Sequence, residues 1–178
     1  MKKIKITKLK KQLNKLYGDG YLKDNNENNT LNIDDILSAL ENDENESIMN
    51  YTSNDILDEK NKLFDSLNIE EIFKTELLNK LTEYRFIENP NDLIEGRYIR
   101  WINIVNPDNL YLTIGANIKN IKYNETNEND IIITCIKINN SSYKGCNFRK
   151  IKFDNNLIFQ RLTDQELMLL YVIDKIEN

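Results

Sequence analysis

Between residues 97 and 162 short runs of β-branched and aromatic residues alternate with clusters of Asn, Asp and Gly. That cadence limits the fold more tightly than anything else in the chain. Its clearest run is GRYIRWINI, residues 96–104. In an extended chain Ile99 and Trp101 share one side, while Tyr98, Arg100 and Ile102 share the other, so both faces of this strand are occupied. Gly96 suits the turn in. The turn out is Asn106, Pro107, Asp108 and Asn109, with Pro107 presetting its own φ. The same cadence predicts strands at 97–105, 110–123, 130–138, 147–153 and 157–162, with turns at 124–129, 139–145 and 154–156. Gly115 marks a kink or bulge in the second of these. Strands so short and closely spaced predict an antiparallel five-stranded meander that closes into a small SH3-like or Sm-like barrel.

The residues before this region follow a helical period. Ile56, Leu57, Lys60, Leu63 and Phe64 fall on one helical face, and Ile69, Ile72, Phe73, Leu77, Leu81 and Tyr84 on another. Joined near residues 66–68, the two make a helical hairpin over 54–88. Neither stripe is satisfied in water, and the sheet that follows is the expected cover. Pro90 breaks any further helix. At the far end Thr163 and Glu166 form a capping box, and Leu162 can staple onto Leu167. Asp164 and Glu166 also suit the positive end of a helix dipole. The helix they open is apolar around most of its circumference, so it is expected to cap the barrel or to be reserved in part for another chain. The fold class is therefore α+β: a hairpin, a small barrel and a C-terminal capping helix.

With 178 residues the chain has room for one ordinary domain and appendages. Lys2, Lys3, Lys5, Lys8, Lys10, Lys11 and Lys15 meet no acid before Asp19. With Ile6, Leu9, Leu13 and Leu16 between them, residues 4–17 fit a short basic amphipathic helix. Asp34, Asp35, Glu41, Asp43, Glu44 and Glu46 then make an acidic stretch around one apolar island, Ile33, Ile36, Leu37 and Leu40, which Asn32 can cap. The expected organisation is a basic arm and flexible acidic linker over 1–53, the hairpin over 54–88, and the barrel with its C-terminal helix over 93–178.

Several chemistries are excluded or disfavoured. The chain has no His, which removes a His-driven nucleophile. Cys135 and Cys146 have no partners at metal spacing, so no metal and no cofactor is expected. Gly18 and Gly20 alone do not make a phosphate loop. Asp34 with Asp35 sits in the linker, and Asp164 with Glu166 is accounted for by capping. Met1 leads into a lysine-rich run without an apolar core, and no apolar run approaches the roughly 18 residues of a membrane span, so an intracellular chain without membrane attachment is expected. The net charge of −5 argues against a surface built wholly for nucleic acid.

Four ordered pieces carry a resemblance: KLTEYRFI at 80–87, LIEGRYIRWI at 93–102, NPDNLYLTIGA at 106–116 and LIFQRLTDQE at 157–166. Over roughly the C-terminal half the chain resembles an uncharacterised family of giant DNA viruses of the mimivirus type. Where the family pattern has a second glycine after Gly115, this chain has Ala116. The resemblance implies a viral origin and a recurring domain, and brings no catalytic residues with it.

Two functions are then expected. The first is a non-enzymatic scaffold or adaptor in a viral assembly, a virion or a virus factory. It would dock a protein partner through Leu167, Leu170, Tyr171 and Ile173, or through the island at 33–40. The alternative is a small barrel that binds single-stranded RNA or DNA. Cations and aromatics intersperse along its strands: Tyr98, Arg97, Arg100, Lys119, Lys122, Tyr123, Lys137, Tyr143, Lys144, Arg149, Lys150 and Lys152. Cys135 is expected as a small core residue, and Cys146 as a surface thiol.

Overall fold

A computed structural model of the chain describes residues 11, 21–23, 30–123, 131–137 and 147–177. Of the basic stretch 4–17 only Lys11 falls among them, and the expected turns at 124–129 and 139–145 lie outside them. The chain divides into two units, residues 1–57 with 163–178, and residues 58–162.

In the first unit β1 (Tyr21–Lys23) pairs antiparallel with β2 (Thr30–Asn32). Helix α1 (Ile33–Glu41) follows directly, because the Asn32 side chain accepts a hydrogen bond from the Asp34 amide at 3.0 Å and caps the first turn. The expected apolar island is thus a helix, and it is not solvated: Ile36, Ala39 and Leu40 are fully buried. α1 meets α4 (Asp164–Glu177), as does the 3₁₀ turn Ile48–Asn50. The capping box forms as expected. The Thr163 amide donates to Glu166 Oε2 at 2.7 Å, and the Glu166 amide donates to Thr163 Oγ1 at 3.2 Å. Gln165 Oε1 accepts from both Asn42 Nδ2 and Asn45 Nδ2, and Asn45 Nδ2 also donates to Ala39 O at 2.9 Å. Buried Asn45 is therefore satisfied.

In the second unit six antiparallel strands form one sheet in the order β3-β8-β4-β5-β6-β7. They are β3 (Tyr84–Ile87), β4 (Tyr98–Asn103), β5 (Ala116–Lys122), β6 (Ile132–Lys137), β7 (Asn147–Lys152) and β8 (Asn156–Arg161). The expected five-stranded closed barrel is corrected here: β3 and β7 are the edges of an open sheet. The added strand, β3, lies where helical spacing extends the hairpin. Four residues are too few to separate a period of two from one of 3.6. The expected strand at 110–123 also shortens. Only Leu112 bridges to Ile102 before Gly115, at φ +107, takes the chain out of extended geometry and β5 begins at Ala116.

Helices α2 (Ser53–Ser66) and α3 (Glu71–Lys80) realise the hairpin, with Asn68 in the left-handed region between them. Phe64, Leu77 and Leu81 close over Ile102 and Phe159, with Phe73, Tyr84, Phe86 and Leu157 packed around them. Ile72, expected on that stripe, is instead 82% exposed. The opposite face gathers residues from every strand: Ile87, Ile158, Ile99, Trp101, Ala116, Ile118, Ile133, Cys135 and Ile151, with Leu93 added from the loop before β4. The two-sided reading of residues 99–102 therefore holds, with Ile99 and Trp101 in this inner cluster and Ile102 under the helices.

Lys60 lies on the buried side of α2, 3% exposed. Its Nζ donates to Leu81 O at 2.8 Å and to Tyr84 O at 3.1 Å, joining the end of α3 to the start of β3. Burial lowers its pKa from 10.5 to about 8. The folded value lies below the unfolded one, so between those values the unfolded chain holds more protons and stability rises with pH. Burial pushes the Cys135 thiol up from 9.0 to about 11, which acts in the opposite sense above pH 9. The clean window is therefore pH 8 to 9. Urea unfolding there is expected to show stability rising with pH in the native chain relative to Lys60→Met. Equal pH slopes in the two proteins would show that Lys60 is not held by burial.

Candidate functional site

The strands β5, β6 and β7 read ANIKNIK, IITCIK and NFRKIK, and carry six cations and no carboxylate. Register decides which of these residues meet. Reading across the three strands, one row is Lys122, Ile132 and Lys152; the next is Asn120, Thr134 and Lys150; the next is Asn117, Ile136 and Phe148. Because side chains alternate, all three rows face away from the inner cluster. Cys135 with Arg149, and Ile133 with Ile151, form the rows between them on the inner face.

A bulge in β5 produces this arrangement. Ile118 pairs with Cys135 and Asn120 with Thr134, so Lys119 is one residue more than its partner strand supplies. Strict alternation in ANIKNIK would put Ile118 and Ile121 on opposite faces, and Lys119 and Lys122 likewise. With the extra residue both isoleucines pack on the inner cluster. Both lysines then turn outward, and Lys119 Nζ lies 4.7 Å from the centroid of the Phe148 ring. Phe148 is 56% exposed. At ordinary strand spacings the patch measures roughly 10 Å by 14 Å.

Across the sheet, at the end of β6 and the start of β7, a cavity of about 380 Å³ opens on the inner face. Trp101, Cys135, Lys137, the first three residues of β7 (Asn147, Phe148 and Arg149) and the segment from Tyr111 to Ala116 line it, so Phe148 borders both this cavity and the outer patch. The Arg149 guanidinium lies 5.5 Å from the centroid of the Trp101 ring. The 111–116 wall is tied to β4 by four bonds. Thr113 N donates to Trp101 O, the Trp101 amide donates to Thr113 Oγ1, Arg100 Nε donates to Thr113 O, and the Tyr98 hydroxyl donates to Ile114 O.

The expected nucleic-acid residues therefore separate into groups. Lys119, Lys122, Lys150 and Lys152 share the outer patch. Lys137 and Arg149 belong to the cavity. Arg100 is committed to structure, since its Nη1 also donates to Lys80 O at 3.1 Å. Arg97 precedes β4, where its carbonyl accepts from the Ile118 amide. Tyr143, Lys144 and Cys146 lie outside the described residues. Of the expected docking residues, Leu170 and Ile173 are buried, and Leu167 and Tyr171 are half-buried. Phe148 and Tyr111 were not expected at a site. For Phe148 the signal was present, since within NFRKIK it alternates in phase with Lys150 and Lys152.

Among the described residues no group of His, Cys, Asp and Glu could hold a metal ion, and no helix is long and apolar enough to cross a membrane. Fold and site together define an α+β protein whose open antiparallel sheet is covered by helices at one end and bears a lysine-rich face at the other. Compared with family models, curated proteins and solved structures, the chain matches none of them.

Proposed function

We propose that this protein is a non-enzymatic binding protein whose ligand is single-stranded RNA or DNA, laid across the outer face of β5, β6 and β7. The observation that carries this reading is the register: it sets Lys119, Lys122, Lys150 and Lys152 around an exposed Phe148 on three strands whose own residues include no acid, although the Glu95 carboxylate reaches β5 from the loop before β4 and accepts from Asn120 Nδ2 at 3.2 Å. Single strands are bound by cations that track the backbone beside an aromatic ring on which a base stacks. The overall negative charge of the chain does not oppose this, because distribution and not the sum governs phosphate binding. The giant-virus resemblance would set this activity in a virion or virus factory, a setting that rests on the sequence pieces quoted above.

The protein-adaptor reading keeps one supporting observation, the exposed Val105 and Ile114 in the segment between β4 and β5. It loses support from the C-terminal helix and the 33–40 island, whose central apolar residues are buried in the folded chain.

The test is fluorescence anisotropy with a labelled oligonucleotide over a salt series. The logarithm of affinity is expected to fall against the logarithm of salt with a slope of about −2 to −3, as for three or four neutralised phosphates. Lys122→Glu with Lys150→Glu should abolish binding at low salt with circular dichroism unchanged. Phe148→Ala should weaken it by about 1–3 kcal/mol. Absence of salt-dependent affinity at low ionic strength would sink the proposal.

A further inference from the structure

We propose that the inner-face cavity is a separate site for a single nucleotide, with the base stacked on the Arg149 guanidinium and the phosphate at Lys137. Its volume of about 380 Å³ falls in the range of small-ligand sites. A strand laid over an open face needs no such enclosure.

The lining determines the ligand class. Lys137 and Arg149 are its two charged residues, and no carboxylate is among the lining residues. Buried Cys135 adds no negative charge at neutral pH, because burial pushes its thiol up to about 11. An anion is therefore favoured over a cation. The Arg149 guanidinium already lies over the indole of Trp101. Its planar, exposed group offers a second face to another ring, a geometry that guanidinium supplies and ammonium does not. Tyr111 and Thr113 stand on a wall held by hydrogen bonds to β4, so the cavity is shaped before any ligand arrives and little ordering cost falls on binding. A flat ring joined to a phosphate satisfies all of these features together. The phosphate belongs at Lys137, which is exposed at the end of β6.

Trp101 is the only tryptophan of the chain and lines this cavity, so its fluorescence responds to occupation there. The probes are nucleoside monophosphates, the corresponding nucleosides and inorganic phosphate, titrated into the full chain. The monophosphates are expected to give a saturable change. The nucleosides should bind about tenfold more weakly, as should the monophosphates to Lys137→Glu. Lys150→Glu, on the opposite face, should leave the titration unaltered. A response to monophosphates alone supports a free nucleotide as the occupant, whereas an oligonucleotide that reproduces the change would overturn the inference by making the cavity part of the strand-binding surface. The inference is overturned if no monophosphate gives a saturable change, if nucleoside and monophosphate bind equally, or if inorganic phosphate reproduces the signal. The outer face is read separately by anisotropy, so Lys137→Glu and Lys150→Glu tell failure of one site from failure of the other.

Discussion

Phe159→Ala is expected to lower the unfolding free energy by about 3–5 kcal/mol, a large part of the roughly 5–15 kcal/mol of an ordinary domain. Phe159 has no exposed surface. It stands on β8, between β3 and β4, so no edge can relax around it. Its ring centroid lies 5.8 Å from that of Phe64 on α2 and 5.8 Å from that of Phe86 on β3. Truncation would thus remove the ring on which the hairpin closes, and would leave a void that backbone hydrogen bonds on both sides of β8 keep from collapsing. Urea unfolding followed by circular dichroism measures the loss. Phe148→Ala is the control: the same deletion on the exposed face should change stability by no more than about 0.5 kcal/mol. Equal losses at the two positions would mean that α2 and α3 do not pack on the sheet as described.

Local signals in the sequence placed most elements, and nonlocal ones decided the rest. The stripes of α2 and α3 were legible because Phe64, Leu77 and Leu81 recur at helical spacing, and all three are buried. The Thr163–Glu166 box was legible because its chemistry is complete within one turn of chain. Closure was not. Whether β3 and β7 meet depends on how six strands twist together, and no run of residues records that. β3 itself was hidden by its brevity and by its neighbours: Leu81 and Tyr84 continue the helical spacing of α3 although the chain has already turned into the sheet.

The candidate site shows the same division. Each lysine of the outer patch was visible singly, but the face it occupies depends on the bulge at Lys119. The repeat in ANIKNIK, with Ile and Lys each recurring after three residues, was the available sign, since only an extra residue lets such a repeat share faces in a strand. A kink was expected at Gly115 and was found there as a change of backbone region, while the bulge itself lies between Ile118 and Asn120. Lys137 and Arg149 were named with the outer lysines, yet their register turns them toward Trp101. One set of cations thus resolves into two surfaces of different shape.

Gly115→Ala is expected to cost at least about 3 kcal/mol, from two causes that a second glycine separates. At φ +107 any side chain is strained, by about 1–3 kcal/mol. A Cβ at Gly115 would also stand 2.6 Å from the Ile99 carbonyl oxygen and 2.7 Å from Tyr98 Cε1. The tyrosine could swing aside, but Ile99 cannot, because it is buried and laddered to Gln160 on one side and Ala116 on the other. Gly96 has φ +85 and nothing within 4 Å of an added Cβ, so Gly96→Ala carries the strain without the collision. Thermal unfolding should therefore show the Gly115 variant melting well below the Gly96 variant, with the difference measuring how closely β4 and the 111–115 segment approach. That approach also sets the wall of the cavity, so the Gly115 variant should alter Trp101 fluorescence before any ligand is added. Equal losses from the two substitutions would mean that the wall stands further from β4, and the cavity would have to be redrawn.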